Sequence, residues 1–104
     1  ASTIVGTPQF MSPEQLTKAP IDCRSDIYSL GATLYYLVTG KPCYTGTMMQ
    51  MIYQILQASP IPPHELNPKV GEALSAVVLK MLAKQPPERY QTMQEVYEAL
   101  GKFC

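Results

Sequence analysis

Proline decides most of what this chain can become. Pro20, the run Ser59-Pro60-Ile61-Pro62-Pro63 and the pair Pro86-Pro87 cut it into short stretches, because each proline lacks an N–H and restricts the residue before it. Between these breaks the apolar residues recur at helical spacing, and no alternating pattern marks a strand. Ser12-Pro13-Glu14-Gln15 joins a cap residue, a proline at the first helical position and a glutamine three residues after the cap. A short helix should begin there and stop at Pro20. Ser25 is the expected cap of a helix from about Asp26 to Val38, in which Ile27, Leu30, Leu34, Tyr35, Leu37 and Val38 leave only a narrow polar face, so the helix should be buried. Gly40 suits a left-handed end. Gly31, inside the helix, costs about 1 kcal/mol relative to Ala and points to a close backbone approach.

The remaining segments repeat the pattern. From Thr47 to about Leu56, Met48, Met51, Ile52, Ile55 and Leu56 share one side of a helix, and Met49 and Tyr53 widen its apolar face. The proline run reads as an extended connection, with His64 in it as a solvated loop residue. Leu74, Val77, Val78, Met81 and Leu82 mark an amphipathic helix from about Gly71 to Lys84, halted by Pro86-Pro87. Thr92-Met93-Gln94-Glu95 is a capping box, after which Met93, Val96, Tyr97, Leu100 and Phe103 keep helical spacing to the end. The expected fold is one all-α unit of about five helices.

Size and charge narrow the function classes. A chain of 104 residues can bury roughly 60–70% of its unfolded surface, which makes a modest core. Lys plus Arg number 8 and Asp plus Glu number 8, so no broad field favours nucleic acid or an anionic membrane. Cys23, Cys43 and Cys104 have no metal-ligand spacing and are odd in number, which favours reduced thiols and a cytoplasmic setting. No run reaches the roughly 18 apolar residues a membrane span needs. Ala1 is neither an initiator nor the start of a signal peptide, which suggests a fragment.

Three motifs in order carry a resemblance. Gly6 to Glu14 reads Gly-Thr-Pro-Gln-Phe-Met-Ser-Pro-Glu, Asp26-Ile-Tyr-Ser-Leu-Gly31 begins twelve residues after Glu14, and Arg89 stands near the C-terminus. Together they resemble the end of a protein kinase activation segment, the start of the central helix of the kinase C-lobe, and the arginine before its last helix. The resemblance spans nearly the whole chain but only the last part of a kinase domain, so residues 1–104 would be a partial domain: the activation-segment end and C-lobe helices. Thr7-Pro8 is similar to the Ser/Thr branch, and Asp22 to Gly31 with Ser-Pro-Glu-Gln15 looks like bacterial kinases of the eukaryotic type. Phe10, Tyr28 and Cys43-Tyr44 depart from the commonest residues of the family.

What the resemblance implies is specific. The loop containing Gly6, Thr7, Pro8, Met11 and Pro13 would receive the substrate segment, with Thr7 bonded to the catalytic Asp and Lys. Ser2 and Thr3 would be phosphate acceptors in the activation loop. Glu14 and Arg89 would pair, since a guanidinium and a carboxylate can meet in fixed bidentate geometry. Asp26 would accept N–H groups of the catalytic loop. Without the resemblance, Gly6-Thr7-Pro8 is a turn, Ser2 and Thr3 are terminal hydroxyls, Glu14 and Arg89 are surface charges, and Asp26 complements the positive end of its helix. The Met-rich side of residues 48–56 is either core or a docking surface.

Phosphoryl transfer also requires a Gly-rich loop, a Lys–Glu pair, a His-Arg-Asp loop and an Asp-Phe-Gly motif, and none is in this sequence. Taken alone the chain should be inactive, with no catalytic residue, cofactor or metal of its own. ATP and Mg would belong to the parent Ser/Thr kinase. Its partners would be a protein substrate and the missing N-terminal kinase portion. The alternative is a non-catalytic, truncated or split-gene helical module for protein interaction.

Overall fold

The computed structural model describes residues 8–103, and among them the architecture is entirely helical. A 3-10 turn at Pro8–Phe10 leads into α1 (Pro13–Thr17), followed by α2 (Cys23–Thr39), α3 (Met48–Gln57), α4 (Pro63–Leu66), α5 (Glu72–Met81), a 3-10 turn at Pro86–Glu88 and α6 (Met93–Gly101). The central element is α2, against which α4, α5, α6 and the first 3-10 turn pack. One core cluster joins Tyr28, Ala32, Tyr35, Tyr44, Ile55, Val78 and Leu82, and a second joins Ile27, Met81 and Val96. Both use α2 and α5, so these two helices hold the unit together.

Local chemistry explains the helix ends. Ser12 and Gln15 form a capping box, as do Thr47 with Gln50 and Thr92 with Glu95. α1 stops at Thr17, before Pro20, because Lys18 turns into the left-handed region at φ 60°. Gly40 does the same for α2 at φ 76°, where glycine carries no Cβ penalty. The start of α2 differs from the sequence expectation. Asp22 is the cap, its carboxylate accepting from the Arg24 N–H, and Ser25 lies inside the first turn and is buried. An aspartate three residues upstream outcompetes the serine because it brings both an acceptor and a charge suited to the helix start.

Gly31 has a packing reason. A Cβ built there would lie 2.8 Å from the Cβ of Met81 and 3.3 Å from Cγ of Leu82, so α2 and α5 meet at the glycine. Gly31→Ala is therefore expected to cost about 1–2 kcal/mol despite alanine's better helix propensity. A urea-denaturation midpoint followed by far-UV circular dichroism would read this, and a rise in stability would refute the close contact.

Several expected faces come out differently. α2 is not buried all round: Ile27, Tyr28, Ala32 and Tyr35 are buried, whereas Tyr36 is 45% and Leu37 69% exposed. In α3, Met51 and Ile55 are buried, whereas Met48, Met49 and Tyr53 face solvent. In α6 only Val96 is buried; Met93 and Tyr97 are exposed, as is Phe103 just past the helix end. α5 ends at Met81, short of Lys84, and the carbonyls of Ala83 and Lys84 are taken up by Arg89.

The proline run is extended to Pro62, but Pro63 starts α4 as its first helical residue. His64 is consequently half-buried in a helix, its Nδ1 2.9 Å from the Ser75 hydroxyl, instead of being a solvated loop residue. Two hydrogen bonds fasten this connection to α2: Tyr35 Oη donates to the Ile61 carbonyl at 2.6 Å, and Asn67 Nδ2 to the Val38 carbonyl at 2.9 Å. Tyr35→Phe should lose about 1 kcal/mol by the same denaturation assay. Cys23 and Cys43 are free thiols. Among the described residues no helix is long and apolar enough to cross a membrane.

Candidate functional site

Among the described residues a buried polar centre forms where α1, the start of α2 and the turn before α6 converge. The capping box fixes the first turn of α1 and turns the Glu14 carboxylate inward, where it is 5% exposed. Arg89 reaches it from the end of the second 3-10 turn and is 2% exposed. Nη1 donates to Oε2 at 2.6 Å and Nη2 to Oε1 at 2.8 Å, a two-point contact that holds both planes in register. Ser25 Oγ donates to the same Oε2 at 2.6 Å.

The remaining guanidinium protons are also used. Nε donates to the Ala83 carbonyl at 2.7 Å, Nη1 to the Arg24 carbonyl at 2.9 Å, and Nη2 to the Lys84 carbonyl at 3.2 Å. The Tyr28 ring stacks on the guanidinium with its centroid 4.9 Å away. Among the described residues no buried side-chain nitrogen or oxygen lacks a partner. Full pairing matters because desolvating two ions costs several kcal/mol each, which only a complete set of contacts offsets.

Burial pushes the Glu14 carboxyl up, but the hydrogen bonds from Arg89 and Ser25 outweigh it and hold it down at about 2. A carboxylate so acidic and so fully bonded is a poor general base near neutral pH. The centre can brace one segment against another; it is not built to move a proton.

Around it, Pro8 and Pro13 are buried and Phe10 and Met11 half-buried, with the first 3-10 turn packed on α2 and α3. Gly6, Thr7, Ser2 and Thr3 lie outside the described residues. Asp26 is in the first turn of α2 but exposed, and the structure does not bring it to Glu14 or Arg89. A separate open groove of about 490 Å³ runs along α3 between Thr45, Met49, Gln50, Tyr53 and Gln54. Among the described residues no group of three or more His, Cys, Asp or Glu side chains could hold a metal ion.

Sequence reasoning missed Ser25 and Tyr28 as members of the centre. Their spacing of three puts both on one face of α2, which is a signal that they share neighbours. Nothing local pairs either of them with Glu14. The carbonyls of Arg24, Ala83 and Lys84 carry no sequence signal at all.

Comparison with known proteins bears on what this centre belongs to. The family described as "Protein kinase domain" matches residues 1–99. The serine/threonine-protein kinase PknB of Mycobacterium tuberculosis is 45% identical over 96 residues, covering 91% of this chain and 15% of that protein. The PknB of Mycobacterium leprae is 44% identical over 96 residues, with the same coverage. A probable serine/threonine-protein kinase PknB of Corynebacterium glutamicum is 43% identical over 107 residues, covering 98% of this chain and 17% of that protein. The chain thus spans about a sixth of the length of these curated relatives.

Proposed function

Because this chain belongs to the serine/threonine protein kinase family, we propose that residues 1–104 form the acceptor-side, C-lobe part of a kinase domain whose full protein transfers the terminal phosphate of ATP to Ser or Thr of a protein. The observation that carries this reading is the buried Glu14–Arg89 pair. It ties the segment that follows Thr7 to α2 and to the turn before α6, through three hydrogen bonds on one carboxylate. A segment fixed in this way can present an acceptor loop in one geometry, and a displacement of about 1 Å in such a position can cost on the order of 10²-fold in rate.

Within this reading Gly6, Thr7, Pro8, Met11 and Pro13 shape the acceptor loop, Thr7 meets the catalytic groups of the full domain, and Asp26 holds the catalytic loop. Ser2 and Thr3 are regulatory phosphate acceptors, where nearly two added charges would order the loop. The residues of this chain do not make a site for MgATP, since the loop and acidic motifs that hold it are not in the sequence. ATP and Mg belong to the full protein, together with the missing N-terminal kinase portion and a cytoplasmic setting.

A test uses the full-length protein and a Ser-containing acceptor peptide. Thr7→Ala should lower turnover on the order of 10²-fold while the KM for ATP changes little, and Thr7→Ser should keep most of the activity. Unchanged turnover in Thr7→Ala would remove Thr7 from the acceptor site. The exposed Met49 and Tyr53, 77% and 66% accessible beside an open groove, favour a second reading as a non-catalytic interaction module. That reading expects protein binding through α3 and no turnover.

A further inference from the structure

The Lys84 side chain takes no part in the Glu14–Arg89 centre, to which the residue lends only its carbonyl, nor in the acceptor loop. Its stem is half-buried in the turn after α5, and Nζ donates to Tyr44 Oη at 2.9 Å and to the Gln54 carbonyl at 3.1 Å. Tyr44 Oη in turn donates to the Ala58 carbonyl at 2.7 Å, so the amine closes the carboxyl end of α3 through two routes. Both of its acceptors are neutral. Among the described residues no carboxylate lies within 4.0 Å of it.

Lys84 also lines two open clefts. One, about 450 Å³, is shared with Pro13, Thr17, Leu56 and Pro86; the other, about 580 Å³, with Ser59, Pro60, Leu79 and Glu88. Lys84 thus forms part of the wall of both clefts. We propose that Lys84 is a covalent modification site at which a small acyl phosphate transfers its acyl group to Nζ, loosening the end of α3.

The neutral amine attacks the acyl carbon, a C–N bond forms, the bond from that carbon to the phosphate oxygen breaks, and phosphate leaves with the electron pair and takes up the amine proton. The electrostatics support this chemistry. Burial pulls the Lys84 amine down to about 8, with the Arg89 charge adding to the effect and Cys43 opposing it. The other nucleophiles facing it are blocked, since burial pushes the Cys43 thiol up to about 12 and the Tyr44 hydroxyl higher still. Glu14 and Glu88 lie on the cleft walls. At pH 7.5 roughly a quarter of such an amine is neutral, roughly 200 times more than for an ordinary lysine. Lower intrinsic nucleophilicity and half-burial oppose this gain, leaving about tenfold. An acylated Nζ has a single N–H, so it cannot serve both Tyr44 and Gln54.

The experiment treats the full-length protein with acetyl phosphate at pH 7.5 and follows each lysine by peptide mass mapping. Lys84 should be acetylated about tenfold faster than the exposed Lys41 and Lys69, and the preference should vanish in denaturant. Amide hydrogen exchange across Ile55–Ala58 should accelerate in the acetylated fraction. Labelling of Lys84 no faster than Lys41, or a preference that survives denaturation, would overturn the site. Unchanged exchange would overturn the coupling to α3. Lys84→Arg, which keeps the charge and donors but is not acylated, should retain slow exchange after the same treatment.

Discussion

Arg89→Ala is expected to remove about 3–5 kcal/mol of folding stability, the range for breaking one side of a buried ion pair. The substitution deletes five hydrogen bonds at once, two to Glu14 and one each to the carbonyls of Ala83, Arg24 and Lys84. It leaves Glu14 as a buried anion with Ser25 as its remaining side-chain donor. It also opens a hole beside Tyr28, one of the largest fully buried side chains. Marginal stability of 5–15 kcal/mol means that such a loss changes the folded population at physiological temperature. Urea unfolding of the wild type and the variant would measure it, and a difference below about 1 kcal/mol would mean the pair is not what holds α1 in place. Replacing Glu14 and Arg89 together should cost less than the sum of the single changes, because no charge is then stranded.

Acid should weaken the same centre in a defined window. Glu14 is held at about 2 in the fold, below the usual carboxyl value of 4.5. Its contribution is therefore complete above about pH 4.5 and is lost progressively as pH falls toward 2, when the folded state must also take up the proton. The difference corresponds to about 3 kcal/mol. The exposed Asp22, whose carboxyl is lowered by its hydrogen bonds with Arg24, shifts in the same direction, so a bare pH profile is not specific. The comparison with Glu14→Gln is specific. The stability gap between wild type and Glu14→Gln should be widest at neutral pH and close as pH falls from 4.5 to 2. A gap independent of pH would show that the Glu14 charge does not carry the stabilisation.

Local rules account for most of the helices. Ser12 and Thr92 announce their capping boxes four residues at a time, Thr47 marks the start of α3, and the prolines mark the breaks between helices. The same rules misplace features whose cause is tertiary. Ser25 reads as a cap because serine caps helices, but Glu14, eleven residues earlier, claims its hydroxyl. Leu37 reads as core because it is apolar and at helical spacing, yet it stands in solvent, since nothing local tells which face of α2 its neighbours occupy. α5 reads as running to Lys84 but ends at Met81, and the carbonyls of Ala83 and Lys84 beyond its end accept from the Arg89 guanidinium, six and five residues ahead. The Glu14–Arg89 contact spans 75 residues, and only the kinase-like order of motifs suggests it. Periodicity cannot reach that far.

The α3 surface teaches a related lesson. Met48, Met51 and Ile55 fit a single apolar stripe, but only Met51 and Ile55 enter the core. Met49 and Tyr53 widen the stripe on paper and stand in solvent in the fold, flanking a groove. A methionine-rich helix thus divides between packing and surface, and the sequence pattern is the same for both.

The experiment to run is phosphate transfer by the full-length protein. It would be incubated with Mg, ATP labelled in the terminal phosphate and a mixed acceptor protein, and the phosphoamino acids separated after acid hydrolysis. Label in phosphoserine and phosphothreonine, lost in Arg89→Ala, is the expected result. Label confined to phosphotyrosine, or no transfer by a folded full-length protein, would contradict it.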